Sequence, residues 1–257
     1  VVNVILNLFL VIVFHLGVAG VAIATIISQI VSGSLCLIRM FFMRDVLSVK
    51  PAYLWPKAQY LKQLIRLGLP SGLTQAIFSF AMIILQSLTN SFGTVVIAAN
   101  TAVMRVDGFA MMPNFTFGNA MTTYTGQNMG AGRTDRVEEG IRDGLRLGLL
   151  VIAVLVAAIV IFGSSLIQLF TDTPEVVEMG RNMLRVLALG YIAMAITQTL
   201  SGVMRGAGDT MSPMWISLIT TVVIRVPLAY GLAAVMHSPY CLFISLLISW
   251  CMGAVLS

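Results

Sequence analysis

The chain has 257 residues, of which 58% are hydrophobic and 10% are charged, and its formal net charge is +5 at pH 7. A soluble domain carries about 25% charged residues, so this chain has too little polar surface to cover a water-facing globule. A very apolar soluble protein would need helix stripes rich in Lys and Glu, which most segments of this chain lack. The composition therefore indicates a protein that lies in a lipid bilayer.

Apolar segments recur along the chain and are separated by short polar breaks. A helix that spans a bilayer needs about 20 residues, and we read eight segments as spans, with the first and last cut short. They are 1–14, 17–43, 67–91, 94–128, 144–170, 176–204, 211–236 and 239–257. The sequence therefore predicts an all-α, polytopic transmembrane bundle. Because the chain starts without Met and stops inside an apolar run, we expect it to be a fragment of a longer membrane protein.

Basic residues are concentrated in alternate breaks between the segments. They are Arg39, Arg44, Lys50, Lys57, Lys62, Arg66, Arg133, Arg136, Arg142, Arg146 and Arg205. Positive loops face the cytoplasm, so these breaks are predicted to be cytoplasmic. The longest break, 44–66, is predicted to be a linker that ends in a basic amphipathic segment on the inner leaflet. The positive charge favours anionic lipid head groups as partners, and nothing in it indicates nucleic acid.

The segment 94–128 carries an arginine and an aspartate two residues apart, Arg105 and Asp107. Charges at membrane depth are costly, and they usually face the bundle interior or a wet cavity. Residues two apart on a helix point about 200° apart, so these two charges are not expected to pair along one face. Two readings stay open here. Either the charges face the interior, or both extend to a membrane interface because the helix end near Asn100 is close.

Other polar side chains at membrane depth are mostly amides and hydroxyls. Gln75 and Gln198 lie inside apolar segments, and Arg225 is a further arginine at that depth. Pro113 is predicted to kink its helix, because proline removes a backbone hydrogen bond. Kinked helices near the midplane are where transporters place binding sites.

Catalytic motifs are missing from the sequence. It has no HExxH, no GxxxxGK[ST], no Ser/His/Asp arrangement and no paired carboxylates at membrane depth. Cys36, Cys241 and Cys251 form no CxxC pair and no cluster with His15 or His237, so no metal site is predicted. We therefore expect neither an enzyme nor a cofactor. Without a nucleotide site, an ion gradient is the remaining source of energy.

Four stretches resemble one family of transporters. They are GVAGVAIATIISQ, GLPSGLTQAIFSF, GQNMGAGRTDRV and GVMRGAGDTMSPM. In this order, and over nearly the whole chain, they resemble the multidrug and toxic compound extrusion (MATE) family. The resemblance implies a fold of twelve helices in two lobes of six. It also implies a transporter that exchanges H⁺ or Na⁺ for organic cations.

The resemblance also implies a division of this chain, which would hold about eight of the twelve helices. Residues 1–43 would be the end of the N-lobe, with helices five and six. Residues 44–66 would be the cytoplasmic linker between the lobes. Residues 67–257 would be the C-lobe, with helices seven to twelve, the last of them truncated.

A coupling-cation site in the N-lobe is a further implication. One branch of the family uses an aspartate on helix one, Asn-x-x-x-Asp on helix five and a threonine on helix six. Asn3 and Asn7 have the helix-five spacing, and Thr25 stands at the helix-six position. Asn7 replaces an aspartate, so it can coordinate Na⁺ through its carbonyl oxygen but cannot release a proton. Another branch uses acidic residues on helices seven and ten, where this chain has Phe78 and Ala195.

The sequence thus predicts a secondary active transporter of the bacterial inner membrane. It would export organic cations or drugs by antiport with H⁺ or Na⁺ through alternating access, with no obligate protein partner and no metal beyond Na⁺. Gln75, Arg105, Asp107 and Gln198 are predicted to line a cavity in the C-lobe. MRVD, which holds Arg105 and Asp107, resembles a helix-eight element of the bacterial drug-efflux branch and favours interior placement of both charges.

Two alternatives remain. A lipid-linked oligosaccharide flippase of the same superfamily would need more cationic side chains at membrane depth than Arg105 and Arg225. The second alternative belongs to another functional class and is an ion channel or a non-transporting membrane scaffold.

Overall fold

The computed structural model describes residues 1–42 and 57–257, and the regular structure in these residues is helical. The described part contains eight helices. They are α1 (Val2–Val13), α2 (Gly17–Phe42), α3 (Ala58–Asn90), α4 (Thr94–Gly130), α5 (Thr134–Gln168), α6 (Pro174–Gly206), α7 (Met211–Met236) and α8 (Tyr240–Leu256). Helices α2 to α7 are long and apolar enough to cross a membrane, and α1 and α8 are shorter apolar helices. The predicted all-α transmembrane bundle is therefore confirmed.

Two helices begin earlier than the apolar segments indicate. Helix α5 begins at Thr134 rather than at residue 144, because its first turns are polar and still favour a helix. Helix α3 begins at Ala58, so residues 58–66 of the predicted linker form its first turns. Residues 44–56 of the predicted linker lie outside the described residues.

The chain divides into two compact units, Val1–Leu61 and Lys62–Ser257, and each is described here by itself. In the first unit, α1 packs against α2 after a tight turn. His15 and Gly17 adopt left-handed backbone conformations in this turn, with φ angles of 53° and 52°. A Cβ atom at Gly20 would lie 3.2 Å from the carbonyl oxygen of Leu10, so the absence of a side chain allows the two helices to approach.

Helix α6 is the central helix of the second unit. It contacts α4, α5 and α8, and half of its membrane-spanning part is buried (50%), against 39% for α4, the next most buried. Met183, Leu184 and Leu187 are almost fully buried along it. Because α6 packs against three neighbouring helices and is the most buried of the spans, it forms the core of this unit.

Glycines allow α4 and α6 to approach each other closely. A Cβ atom at Gly202 would collide with the backbone of Gly118, and one at Gly206 would lie 2.5 Å from the carbonyl oxygen of Thr122. Small residues at such interfaces are the usual means of close helix packing in membranes. We call Gly118, Gly202 and Gly206 the glycine seam.

Helix α7 is interrupted by a π-helical stretch, Ile219–Arg225, which ends just before Pro227. Proline lacks an N–H group and clashes with the preceding turn of an α-helix, so a wider turn accommodates it. Such π-helical turns occur often at functional sites. Helix α4 continues through Pro113 without a break.

A substitution in the glycine seam tests its importance. We expect Gly202→Ala to lower the free energy of unfolding by about 2–3 kcal/mol, because the new methyl group must push α4 and α6 apart. Thermal unfolding of the purified protein in detergent measures this effect. Gly231→Ala is the matched control, because nothing lies within 4 Å of its Cβ position. Equal unfolding temperatures for the two variants would contradict the assignment.

Candidate functional site

Asp107 of α4 is held by a side chain of α6. The hydroxyl group of Tyr191 donates a hydrogen bond to Oδ1 of Asp107 over 2.9 Å. Tyr191 is fully buried, and its ring packs on Trp250 of α8 with the ring centroids 5.8 Å apart. The ring of Trp250 occupies the space beside Gly190, where a Cβ atom would collide with it. Packing therefore fixes the position of the hydroxyl group that faces Asp107.

Asp107 lines a cavity of about 50 Å³ inside the second unit. Its other polar lining residues are Arg225, Gln86, Thr89 and Asn100. The apolar lining consists of Met82, Leu85, Met104, Leu187, Leu242, Phe243 and Leu246. One water molecule needs roughly 10–15 Å³ of such space, so the cavity has room for a few waters or for a small polar group.

Arg225 is the second charged residue of this cavity, and only 7% of it is exposed. Its Nη2 atom lies 3.9 Å from the sulfur atom of Met82, which is a weak acceptor. Its Nε atom is buried and has no hydrogen-bond partner in the described part of the chain. Among residues 1–42 and 57–257, the ion pairs are Arg133–Asp135 and Asp143–Arg146. Asp107 and Arg225 therefore share a cavity without direct contact.

Arg105 lies elsewhere. Its side chain is exposed, and its guanidinium group lies 5.6 Å from the ring centroid of Phe170, just beyond the end of α5. Of the two interpretations of these charges, the one with the charge facing the interior holds for Asp107. The one with the side chain extending outward holds for Arg105. The expectation that the two charges do not pair with each other is confirmed. A role of Arg105 in binding substrate stays a prediction.

The two glutamines predicted to line the cavity also lie apart from it. Gln75 is exposed on α3, and Gln198 is half-buried on α6. The backbone oxygen of Gln198 lies against Gly118 in the glycine seam, 3.0 Å from where a Cβ atom would be. Their roles in substrate binding stay predictions.

Tyr191 is the residue of this site that the sequence did not single out. A tyrosine near the middle of a span is unusual, since tyrosines in membrane proteins gather at the two interfaces. A buried tyrosine hydroxyl usually has a hydrogen-bond partner. These two facts could have predicted that the hydroxyl group of Tyr191 takes part in a hydrogen bond. They could not have predicted that its partner is Asp107.

A separate polar cluster lies between α1 and α2 in the first unit. The side-chain amide of Asn3 donates to Oγ1 of Thr25 over 3.4 Å and to Oγ of Ser28 over 3.2 Å. The amide of Asn7 donates to Oδ1 of Asn3 over 3.0 Å. The structure therefore brings together the three residues named from the sequence and adds Ser28. The spacing of Thr25 and Ser28, three residues apart on one helix face, could have indicated it.

The cluster offers oxygen ligands without a carboxylate. Oδ1 of Asn7 is buried and accepts no hydrogen bond within the described residues. Amide and hydroxyl oxygens are hard ligands that suit hard cations. The same residues cannot release a proton at neutral pH, because they carry no titrating group in that range. In the described residues, no group of three or more His, Cys, Asp or Glu could hold a metal ion.

A multi-pass helical bundle with charged residues around an interior cavity is typical of membrane transporters. The MatE family model matches residues 70–231, which is more than half of the chain. The chain therefore belongs to the MATE family, as the four sequence stretches indicated, and members of this family are transporters. The protein is a multi-pass membrane protein.

Curated relatives are named as multidrug resistance proteins. The chain is 29% identical over 216 residues to the "Probable multidrug resistance protein NorM" of Thermotoga maritima, a match that covers 84% of this chain and 46% of that protein. It is 31% identical over 228 residues to the "Probable multidrug resistance protein YpnP" of Bacillus subtilis, covering 88% of this chain and 51% of that protein. The chain spans about half the length of these relatives.

Solved structures share the fold. A crystal structure of MATE in complex with MaL6 matches with a TM-score of 0.91 and 23% identity, over 99% of this chain and 58% of that one. An outward-facing multidrug resistance MATE family transporter of the MOP superfamily matches with a TM-score of 0.89 and 23% identity, over 99% of this chain and 57% of that one. At this level of identity, the similarity shows the fold alone.

The contact between Tyr191 and Asp107 can be tested by mutation. Tyr191→Phe keeps the ring against Trp250 and removes the hydroxyl group, so we expect a loss of about 1.5–2 kcal/mol in the free energy of unfolding, as for hydrogen bonds to charged groups. In the Asp107→Ala background the same change should cost much less, and a double-mutant cycle measures the difference. Tyr230→Phe is the control, since its exposed hydroxyl lies 3.5 Å from the oxygen of Ile84. Strictly additive effects would show that the two groups do not interact.

Proposed function

We propose that this chain forms the main part of a multidrug efflux transporter of the bacterial inner membrane. It exports organic cations and drugs by antiport with H⁺ or Na⁺, through alternating access. The observation that carries the proposal is Asp107, a carboxylate held by Tyr191 in a partly open cavity of the second unit. The basic breaks between the spans face the cytoplasm.

The cavity around Asp107 suits an organic cation. A carboxylate with one oxygen bound to Tyr191 keeps acceptor capacity on its other oxygen. Met82 and Met104 contribute flexible, polarizable walls that adapt to different apolar ligands. These features support a binding site that selects positive charge and tolerates varied shapes. The cavity is small in this conformation, and alternating access requires that it enlarge when the protein opens.

The cluster of Asn3, Asn7, Thr25 and Ser28 supports the choice of Na⁺ as a coupling ion. Its oxygens are neutral, and the free Oδ1 of Asn7 can coordinate a cation directly. H⁺ requires a titrating group, and Asp107 supplies one in the second unit. A ligand shifts a conformational equilibrium only if it binds one state more tightly, so the coupling ion has to bind one of the two access states preferentially.

A lipid-linked oligosaccharide flippase has less support. A pyrophosphate group needs several cationic side chains, and Arg225 is the basic residue that lines the described cavity, since Arg105 is exposed over Phe170. An ion channel would show conductance without exchange of substrate. A membrane scaffold would tolerate neutralisation of Asp107 without any change except in expression.

Export of a fluorescent organic cation tests the proposal. We expect the full-length protein to lower accumulation of the dye in an efflux-deficient bacterium, and this effect should vanish when the driving ion gradient is collapsed. We expect Asp107→Asn to lower transport about 30-fold or more, since removing one partner of a buried charged contact costs about 2 kcal/mol or more. Asp143→Asn, which alters an exposed carboxylate, is the control. Accumulation equal to that of the empty vector for several cations would overturn multidrug efflux.

The coupling ion has its own test. We expect NaCl to raise the unfolding temperature of the purified protein relative to KCl, because a ligand that binds the native state stabilises it. Asn3→Leu should abolish this difference, since it removes the residue that links Asn7, Thr25 and Ser28. Asn128→Leu, at the far end of α4, should retain it. A wild-type protein that responds equally to both salts would point to H⁺ as the coupling ion.

A further inference from the structure

The buried guanidinium group of Arg225 carries more hydrogen-bonding capacity than its surroundings satisfy. A guanidinium group has five N–H donors and no acceptor. In the described residues, the hydrogen-bond acceptor that this group contacts is the sulfur atom of Met82, at 3.9 Å from Nη2. The Nε atom has no hydrogen-bond partner in the described residues, although only 7% of the residue is exposed. A buried charge without such partners is costly, so this side chain favours a ligand.

The residues around the cavity beside Arg225 set the electrostatic environment of such a ligand. Helix α4 contributes Asp107, whose carboxylate accepts a hydrogen bond from Tyr191 of α6, and α6 itself contributes the apolar Leu187 to the lining. Helix α3 contributes the neutral side chains of Gln86 and Thr89, and α8 contributes apolar residues. Asp107 is therefore the carboxylate that offsets the charge of Arg225 across the described cavity. It does so at a distance, because the two residues form no direct ion pair.

We propose that Arg225 binds a small monovalent anionic group, a halide ion or a carboxylate, whenever the charge of Asp107 is neutralised. A proton or a bound organic cation removes the negative charge of Asp107 from the cavity. Arg225 then remains as an uncompensated buried charge, and an anion that enters the cavity restores neutrality. While Asp107 is ionised and free, it repels the anion. Anion binding and neutralisation of Asp107 therefore favour each other, and this coupling is reciprocal.

The size and polarity of the cavity agree with a small anion. Its volume of about 50 Å³ holds one such group with a little water. A planar guanidinium group binds a carboxylate through two parallel hydrogen bonds. Gln86 and Asn100 place neutral amide groups along the lining, and amides can donate further hydrogen bonds to an anion. This site is separate from the neutral cluster around Asn3.

The binding of the anion can be measured on the purified full-length protein in detergent. The unfolding temperature is followed against the concentration of sodium chloride or sodium acetate, with sodium cyclamate, a bulky sulfamate that is neither a halide nor a carboxylate, holding the Na⁺ concentration and ionic strength constant. We expect the apparent affinity of the wild type to rise as the pH falls, by at most about tenfold per pH unit, the limit for uptake of one proton. We expect Asp107→Asn to bind the anion tightly and without dependence on pH.

Variants of Arg225 complete the test. Arg225→Gln should lose the response to chloride and acetate, whereas Arg146→Gln, an exposed arginine of α5, should keep it. If Arg225→Gln does not fold, the behaviour of Asp107→Asn still decides. The proposal would be overturned if chloride or acetate raised the unfolding temperature of Asp107→Asn no more than they raise that of the wild type at high pH. A response that survives in Arg225→Gln would also overturn the proposal.

A third probe identifies the source of the anionic group. Benzoate carries the same carboxylate as acetate on an apolar body. Binding of benzoate about tenfold tighter than acetate, which corresponds to about 1.4 kcal/mol, would support the carboxylate of a transported compound as the natural ligand. Equal or weaker binding of benzoate would support a free small ion.

Discussion

The close approach of α4 and α6 at the glycine seam sets the geometry of the second unit. Asp107 and Tyr191 are separated by 84 residues, and Gly118 and Gly202 have the same separation. The two helices therefore run parallel in one register. The polar contact lies about three helical turns from the seam, on the same face of each helix, because 11 residues are close to a whole number of turns at 3.6 residues per turn. The backbone packing of α4 against α6 at the glycine seam thus determines that Asp107 and Tyr191 meet about three turns away.

This geometry makes it feasible to keep charges inside an apolar bundle. Asp107 is stabilised by a hydrogen bond from a tyrosine that is itself immobilised by Trp250. Arg225, on the π-helical stretch of α7, faces the same cavity without touching Asp107. Two opposite charges that share a small cavity, but do not neutralise each other by direct contact, remain available to ligands. A tight ion pair would have used up that capacity, as buried pairs with complete hydrogen bonding do.

The two units offer different chemistry. The cluster around Asn3 and Asn7 is neutral, so it can bind a cation without exchanging a proton. The cavity around Asp107 and Arg225 is charged, so its occupancy depends on which of its groups are neutralised. A transporter that exchanges one ligand for another needs sites that respond to different species. The composition of these two clusters would meet that requirement in the antiport that we propose.

The sequence by itself determined the class of the protein and the extent of most of its helices. Long apolar runs leave the backbone no alternative to a helix in a membrane, and local motifs were sufficient to place the chain in its family. The spacing of Asn3 and Asn7 put both on one face of α1, because that relation is local. Only the tertiary structure decided that Asp107 turns to Tyr191 while Arg105 lies over Phe170. Those outcomes depend on the register of helices far apart in the chain, and the glycine seam sets that register through contacts that no local pattern encodes.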